Sequence, residues 1–120
     1  MAEKIFDLKQ RTYRFALEVV RFLDRLPQDY VTRTICQQLL RSATSVGANV
    51  IEAQAASSKR DFANFYHHAL KSANESKFWF GLLKDSGKVT NGHVEPLLDE
   101  VQELSNILAA SLLTVKGRKR

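Results

Sequence analysis

Cysteine is nearly absent from this chain: Cys36 is the single one in 120 residues. One thiol excludes an internal disulfide and any metal site built from several cysteines. It stands beside Ile35, Leu39 and Leu40, the setting of a small apolar core residue rather than of a reactive thiol. No apolar run approaches the length of a membrane span. Met1 to Gln10 carries Glu3, Lys4, Asp7 and Lys9, unlike a signal peptide, so a cytoplasmic location is the expectation. There is no P-loop, no G-x-G-x-x-G, no Glu-x-x-His pair and no Ser/His/Asp constellation, so neither a cofactor nor a metal is expected. His67 and His68 are adjacent and face different ways, and His93 lies near a helix start.

The length suits one domain with a normal core. Hydrophobic residues make up 44% and charged residues 26%, both ordinary for a globular protein. The net charge is +5. The basic excess falls on residues 1–28 (+2), on residues 58–88 (+3) and on the last five residues, whereas 29–57 is neutral. Such an excess favours anionic partners.

Four helices account for the chain. In the first, Glu3 to Arg25, the positions Ile5, Leu8, Thr12, Phe15, Val19, Phe22 and Leu26 alternate three and four apart, with Ala16, Val20 and Leu23 widening the stripe. Pro27 ends it. The second starts between Asp29 and Thr32 and runs to about Ala56, with Ile35, Leu39, Ala43, Val46, Val50 and Ala53 in one stripe and Cys36, Leu40, Gly47 and Ile51 beside it. Gly47 inside a helix costs up to ~1 kcal/mol relative to Ala, which close packing would offset. Ser58 followed by Asp61 resembles a capping box and opens the third helix, which runs to about Ser86 and is stopped by Gly87. Its inward positions are Phe62, Phe65, Ala69, Ala73, Ser76, Phe80 and Leu83. The fourth runs from near Thr90 to about Lys116 along Val94, Leu97, Val101, Leu104, Leu108, Ser111 and Val115. Pro96 means that this helix either starts just before it or is distorted in its first turn. With no strand signal, the expected fold is an all-α, antiparallel up-and-down four-helix bundle over residues 1–116, with a basic tail over 117–120.

Phe78, Trp79 and Phe80 are consecutive. Helical residues turn by about 100° each, so three in a row cannot all face one core. The second helix has a similar surplus in Leu40 and Ile51. Exposed apolar area of this kind marks an interface. The expectation is a homo-oligomer whose contacts include Leu40, Ile51, Phe78 and Trp79.

Small residues crowd Arg41 to Ala55 and are answered by Ala63, Ala69, Ser72, Ala73 and Ser76, which lets two helices approach closely. The runs RSATSVGANVIEA (Arg41 to Ala53), SSKRDF (Ser57 to Phe62), ALKSANES (Ala69 to Ser76) and FWFGLL (Phe78 to Leu83) resemble the bacterial four-helix-bundle family named after proteins encoded in intervening sequences of 23S rRNA genes. Many members have a proline and a terminal glycine in the segment matching Ser45 to Gln54, where this chain has Val46-Gly47-Ala48-Asn49 and ends Ile51-Glu52-Ala53-Gln54. The resemblance implies an up-and-down bundle that assembles as a ring, typically a homopentamer. It also implies kinship with the accessory protein of diversity-generating retroelements, a basic bundle that binds reverse transcriptase and nucleic acid.

Three functions compete. Nucleic-acid binding through phosphate contacts would use Arg11, Arg14 and Arg21 on the first helix, Lys59, Arg60 and Lys71 on the third, and Arg118, Lys119 and Arg120 in the tail. A ring would multiply each patch. No zinc-finger, RNA-recognition or KH signature accompanies the charge, so backbone contact is expected rather than base reading. The second possibility is a protein-interaction scaffold, with a partner such as a reverse transcriptase. The third is RNA cleavage: Arg60-Asp61 followed by His67 resembles the Arg…His motif of the higher-eukaryote-and-prokaryote nucleotide-binding bundles, with His67 in proton transfer and Arg60 on the phosphate. That spacing arises easily by chance, and a non-enzymatic role is preferred. Arg41, Asn49, Glu52 and Glu75 are read as a polar network that fixes helix register, with Arg41 paired to a carboxylate and Asn49 bridging backbone.

Overall fold

Asp29 takes extended backbone geometry, and its carboxylate accepts the Thr32 amide at 3.2 Å. Ser58 does the same for Asp61 at 3.1 Å. Each satisfies an amide that the first helical turn leaves without a partner. These caps open two of the four helices in a computed structural model that describes residues 2–117, with side chains described for 8–116. The helices are α1 (Ala2–Asp24), α2 (Tyr30–Gln54), α3 (Lys59–Asp85) and α4 (Asn91–Gly117), and no strand occurs among the described residues. Ile5 and the tail residues Arg118, Lys119 and Arg120 lie outside the described side chains.

Gly87 closes α3 with φ at +76°, a left-handed backbone that glycine adopts without penalty. Pro96 lies inside α4, which starts at Asn91 and continues through it. The amide that proline lacks would have bonded the Gly92 carbonyl, and Gly92 is exposed, so water can serve that oxygen.

The helices enclose one core: α1 packs on α2 and α4, and α3 packs on the same two. The whole measures 50 × 23 × 21 Å. Leu8, Thr12, Phe15, Val19 and Phe22 bury the stripe of α1, and Leu39, Ala43, Val46, Val50 and Ala53 that of α2. Val20 departs from the expected stripe and is exposed, because it lies one residue beyond buried Val19 and so about 100° around α1. In the first half of α3, Tyr66 is buried, while Phe62 and Phe65 are only half-buried. Phe62 stacks on Tyr66 with centroids 4.4 Å apart. Near the end of α4, Leu112 rather than Ser111 is buried, four residues after Leu108 instead of three. Phe80 sits at the centre of the core against Phe15 and Phe22, with ring centroids at 6.4 and 6.2 Å.

Small residues on α2 face two ways. Ser42 and Ser45 meet α3, where Ser42 Oγ lies 2.8 Å from Ser76 Oγ and Ser72 Oγ donates to Ser45 Oγ at 3.0 Å. Gly47 faces α1, with Thr12 pressed against it. Cys36 is half-buried, and burial pushes its thiol pKa up.

Candidate nucleic-acid and assembly surfaces

Charge is sorted by pairing. Arg11 of α1 is half-buried and forks onto Glu100 of α4, with Nε to Oε2 at 2.8 Å and Nη2 to Oε1 at 3.0 Å. A bidentate pair of this kind uses the guanidinium face that a phosphate would need. Lys84 meets Glu95 at 2.7 Å, and Lys88 meets Asp29 at 3.1 Å. Glu95 holds the Lys84 ammonium above its usual pKa. The Asp29 carboxyl is held down to about 2, with Thr32 as the largest influence through its side chain and its amide, and Lys88 next. Of these, the amide and Lys88 make hydrogen bonds, whereas Thr32 Oγ1 is buried without one.

Other cations remain available. Lys59, Arg60 and Lys71 of α3 and Lys9 and Arg14 of α1 are exposed and form no ion pair with another described residue. Arg21 is exposed beside Glu18 at 3.9 Å, a separation that holds little charge in water. On α3 the carboxylates near the free cations are occupied: Asp61 accepts the Ser57 hydroxyl at 2.7 Å, and Glu75 accepts Arg41 at 2.7 Å.

Glu75 also accepts Trp79 Nε1 at 2.9 Å, and Arg41 donates to Gln38 at 3.0 Å. The cluster lies at the rim of the α2–α3 seam, with the Arg41 side chain 63% exposed and Glu75 36%. Asn49 donates to the Ser45 carbonyl at 2.9 Å and to Ser45 Oγ at 3.0 Å. Glu52 is exposed and joins neither group among the described residues. Arg60 and His67 are both exposed, about 10 Å apart in rise along α3, and no contact joins them. No group of three or more His, Cys, Asp or Glu gathers among the described residues as a metal would require.

The consecutive aromatics divide. Phe80 is buried, Trp79 is half-buried against the core, and Phe78 is 58% exposed. Leu40 and Ile51 are exposed on α2. Ile51 lines a shallow groove with Tyr13 and Leu17 of α1, rimmed by Lys9 and Arg14. Sequence periodicity missed Tyr13, because it falls off the apolar stripe of α1 and next to Arg14, and so reads as solvent-facing. Its place beside Ile51 depends on how α1 lies against α2.

Residues 4–110 match the family model described as 23S rRNA-intervening sequence protein. The chain belongs to that family. A similar solved structure is the crystal structure of a protein of unknown function from the S23 ribosomal protein family of Bacteroides thetaiotaomicron. It shares 33% identity over 88% of this chain and 97% of its own, with a TM-score of 0.79. Comparison with curated proteins gives no match. Nor is any helix of this intervening-sequence protein, among the described residues, long and apolar enough to cross a membrane.

Proposed function

We propose that this protein is a non-enzymatic, homo-oligomeric helical bundle that binds RNA or DNA through its phosphates and serves as an accessory or scaffold. The observation that carries the reading is the set of exposed, unpaired cations on α3 (Lys59, Arg60 and Lys71) beside carboxylates that are already occupied. Arg14 adds to it from α1. Arg11 contributes less than its charge suggests, because Glu100 neutralises it. Arg118, Lys119 and Arg120 extend the basic character beyond the described residues.

The bundle is read as antiparallel and up-and-down. Support comes from cross-helix pairs whose numbers rise on one helix and fall on the other: Arg41 with Glu75, and Ser45 with Ser72. Self-association, as a ring and typically a pentamer, is supported by the exposed apolar side chains Leu40 and Ile51 on α2, the latter beside Tyr13 and Leu17 of α1. Trp79 is tied to Glu75 and offers less free surface than Leu40 or Ile51. The same apolar face favours a second reading, in which a protein partner such as a reverse transcriptase covers it and kinship with retroelement accessory proteins extends to function.

Salt-titrated binding to single- and double-stranded RNA and DNA tests the first reading. Affinity that falls steadily with salt supports it, and no binding at moderate salt refutes it. Light scattering tests assembly, with a solution mass of 13.6 kDa counting against any oligomer.

A further inference from the structure

Arg60, Asn64, His67, Lys71, Asn74 and Phe78 follow one another along α3 at steps of three and four, so they share one face. All six are exposed. None of the five polar side chains bonds to another described residue. The two carboxylates in this stretch, Asp61 and Glu75, are engaged by Ser57 and by Arg41 with Trp79. The row itself thus offers cations, amides and an imidazole, with Asp61 and Glu75 to its side. At its end stands an aromatic ring that is 58% exposed. Phe78 rests edge-to-face on Trp79, with centroids 4.9 Å apart at 76°. Trp79 is itself fixed by its bond to Glu75 and by the core, so the exposed ring is backed by an anchored one.

Resting on the phosphate-contact reading above, we infer that this ridge binds a single nucleic-acid strand, with phosphates along Arg60 to Lys71 and one base stacked on Phe78. A base in a duplex has both faces covered by its neighbours, whereas an unpaired base can lie on an aromatic ring. The ridge rises about 27 Å from Arg60 to Phe78, the length of about eight stacked nucleotides at ~3.4 Å each and fewer when the strand is extended.

The experiment titrates the intact protein at low salt with labelled oligouridylate, oligothymidylate and a duplex of equal length. Anisotropy of the label and emission of Trp79, the single tryptophan, are followed together. Wild type is expected to bind the single strands more tightly than the duplex, with Trp79 emission quenched through the ring it touches. Preference for either single strand supports the inference, and oligodeoxyuridylate, which differs from oligouridylate in the sugar alone, tells RNA from DNA. Phe78→Ala is expected to weaken single-strand binding by ~5- to ~150-fold, the range that loss of one stacked base produces, and Phe78→Tyr to retain it. Equal binding by wild type and Phe78→Ala overturns the stacking site and leaves phosphate binding intact, as does a preference for duplex. A Phe78→Ala protein that loses its oligomeric mass in light scattering assigns Phe78 to a contact with a second copy, which also overturns the inference. Absence of all binding by wild type removes the phosphate reading and this site together.

Discussion

Gly47 of α2 lies so close to Thr12 of α1 that a Cβ at position 47 would stand 3.2 Å from Thr12 Oγ1 and 3.3 Å from its Cβ. Thr12 is fully buried and its hydroxyl donates to the Lys9 carbonyl at 3.1 Å, so it has little room to turn away. Two effects oppose each other in Gly47→Ala. Helix propensity gains up to ~1 kcal/mol, and overpacking costs ~1–3 kcal/mol. The contact is tight by only a few tenths of an ångström, so the expected net is a loss of about 1 kcal/mol or less in urea unfolding. Gly47→Val, which also crowds the helix, is expected to lose more than ~2 kcal/mol.

Ser42 and Ser76 form a second tight contact across α2 and α3. Each hydroxyl also has a carbonyl of its own helix within reach, Leu39 at 3.3 Å for Ser42 Oγ and Ser72 at 2.9 Å for Ser76 Oγ, so either serine can supply the proton between them. Either single alanine leaves the other hydroxyl buried with one partner fewer, for an expected loss of ~1 kcal/mol. Removing both takes away donor and acceptor together. The double variant should therefore lose less than the sum of the singles, which a double-mutant cycle by urea unfolding would read directly.

Glu75 serves two partners, Arg41 and Trp79. Because the ion pair is largely exposed, Arg41→Ala should lower stability by less than ~1 kcal/mol. Glu75→Ala also strands the half-buried Trp79 indole N–H and should be the more damaging of the two. Trp79 emission is expected to shift in Glu75→Ala and to stay near wild type in Arg41→Ala.

Acid should test the α2 cap. The folded-state pKa of Asp29, about 2, lies below the ordinary 3.8, so its contribution is complete above 3.8 and disappears as pH falls through about 2. Asn at this position can still cap the helix but carries no charge. Asp29→Asn should flatten the fall in stability across that window, as measured by urea midpoints at successive pH values. A wild-type slope in the variant would show that other carboxylates set it.

Much of the fold was legible because it is written locally. The Ser58–Asp61 cap, the stop at Pro27 and the left-handed Gly87 each depend on a few adjacent residues. Close packing at Gly47 was also readable, since a helix tolerates such a glycine when something presses against it. What failed was finer. Phe65 and Tyr66 are adjacent aromatics about 100° apart, and periodicity alone does not decide which one is buried. Charge was the least legible. Arg11 and Glu100 are 89 positions apart in sequence, and Lys88 meets Asp29 across 59. Only the packing of the helices shows that Arg11, Lys84 and Lys88 are neutralised while Lys59, Arg60 and Lys71 are not. The exposed Asn64 and Asn74 were passed over for the same reason: their place in the row appears once α3 is seen to turn that face outward.

The most direct measurement is the salt dependence of nucleic-acid affinity in wild type and in Arg60→Glu/Lys71→Glu, two exposed sites whose substitution leaves the core untouched. Log affinity should fall linearly with log salt, and the double variant should bind more weakly with a slope shallower by about 1.4, the value for two phosphate contacts to a single strand. Equal slopes and affinities in the two proteins, or no binding by wild type, would contradict a nucleic-acid surface on α3.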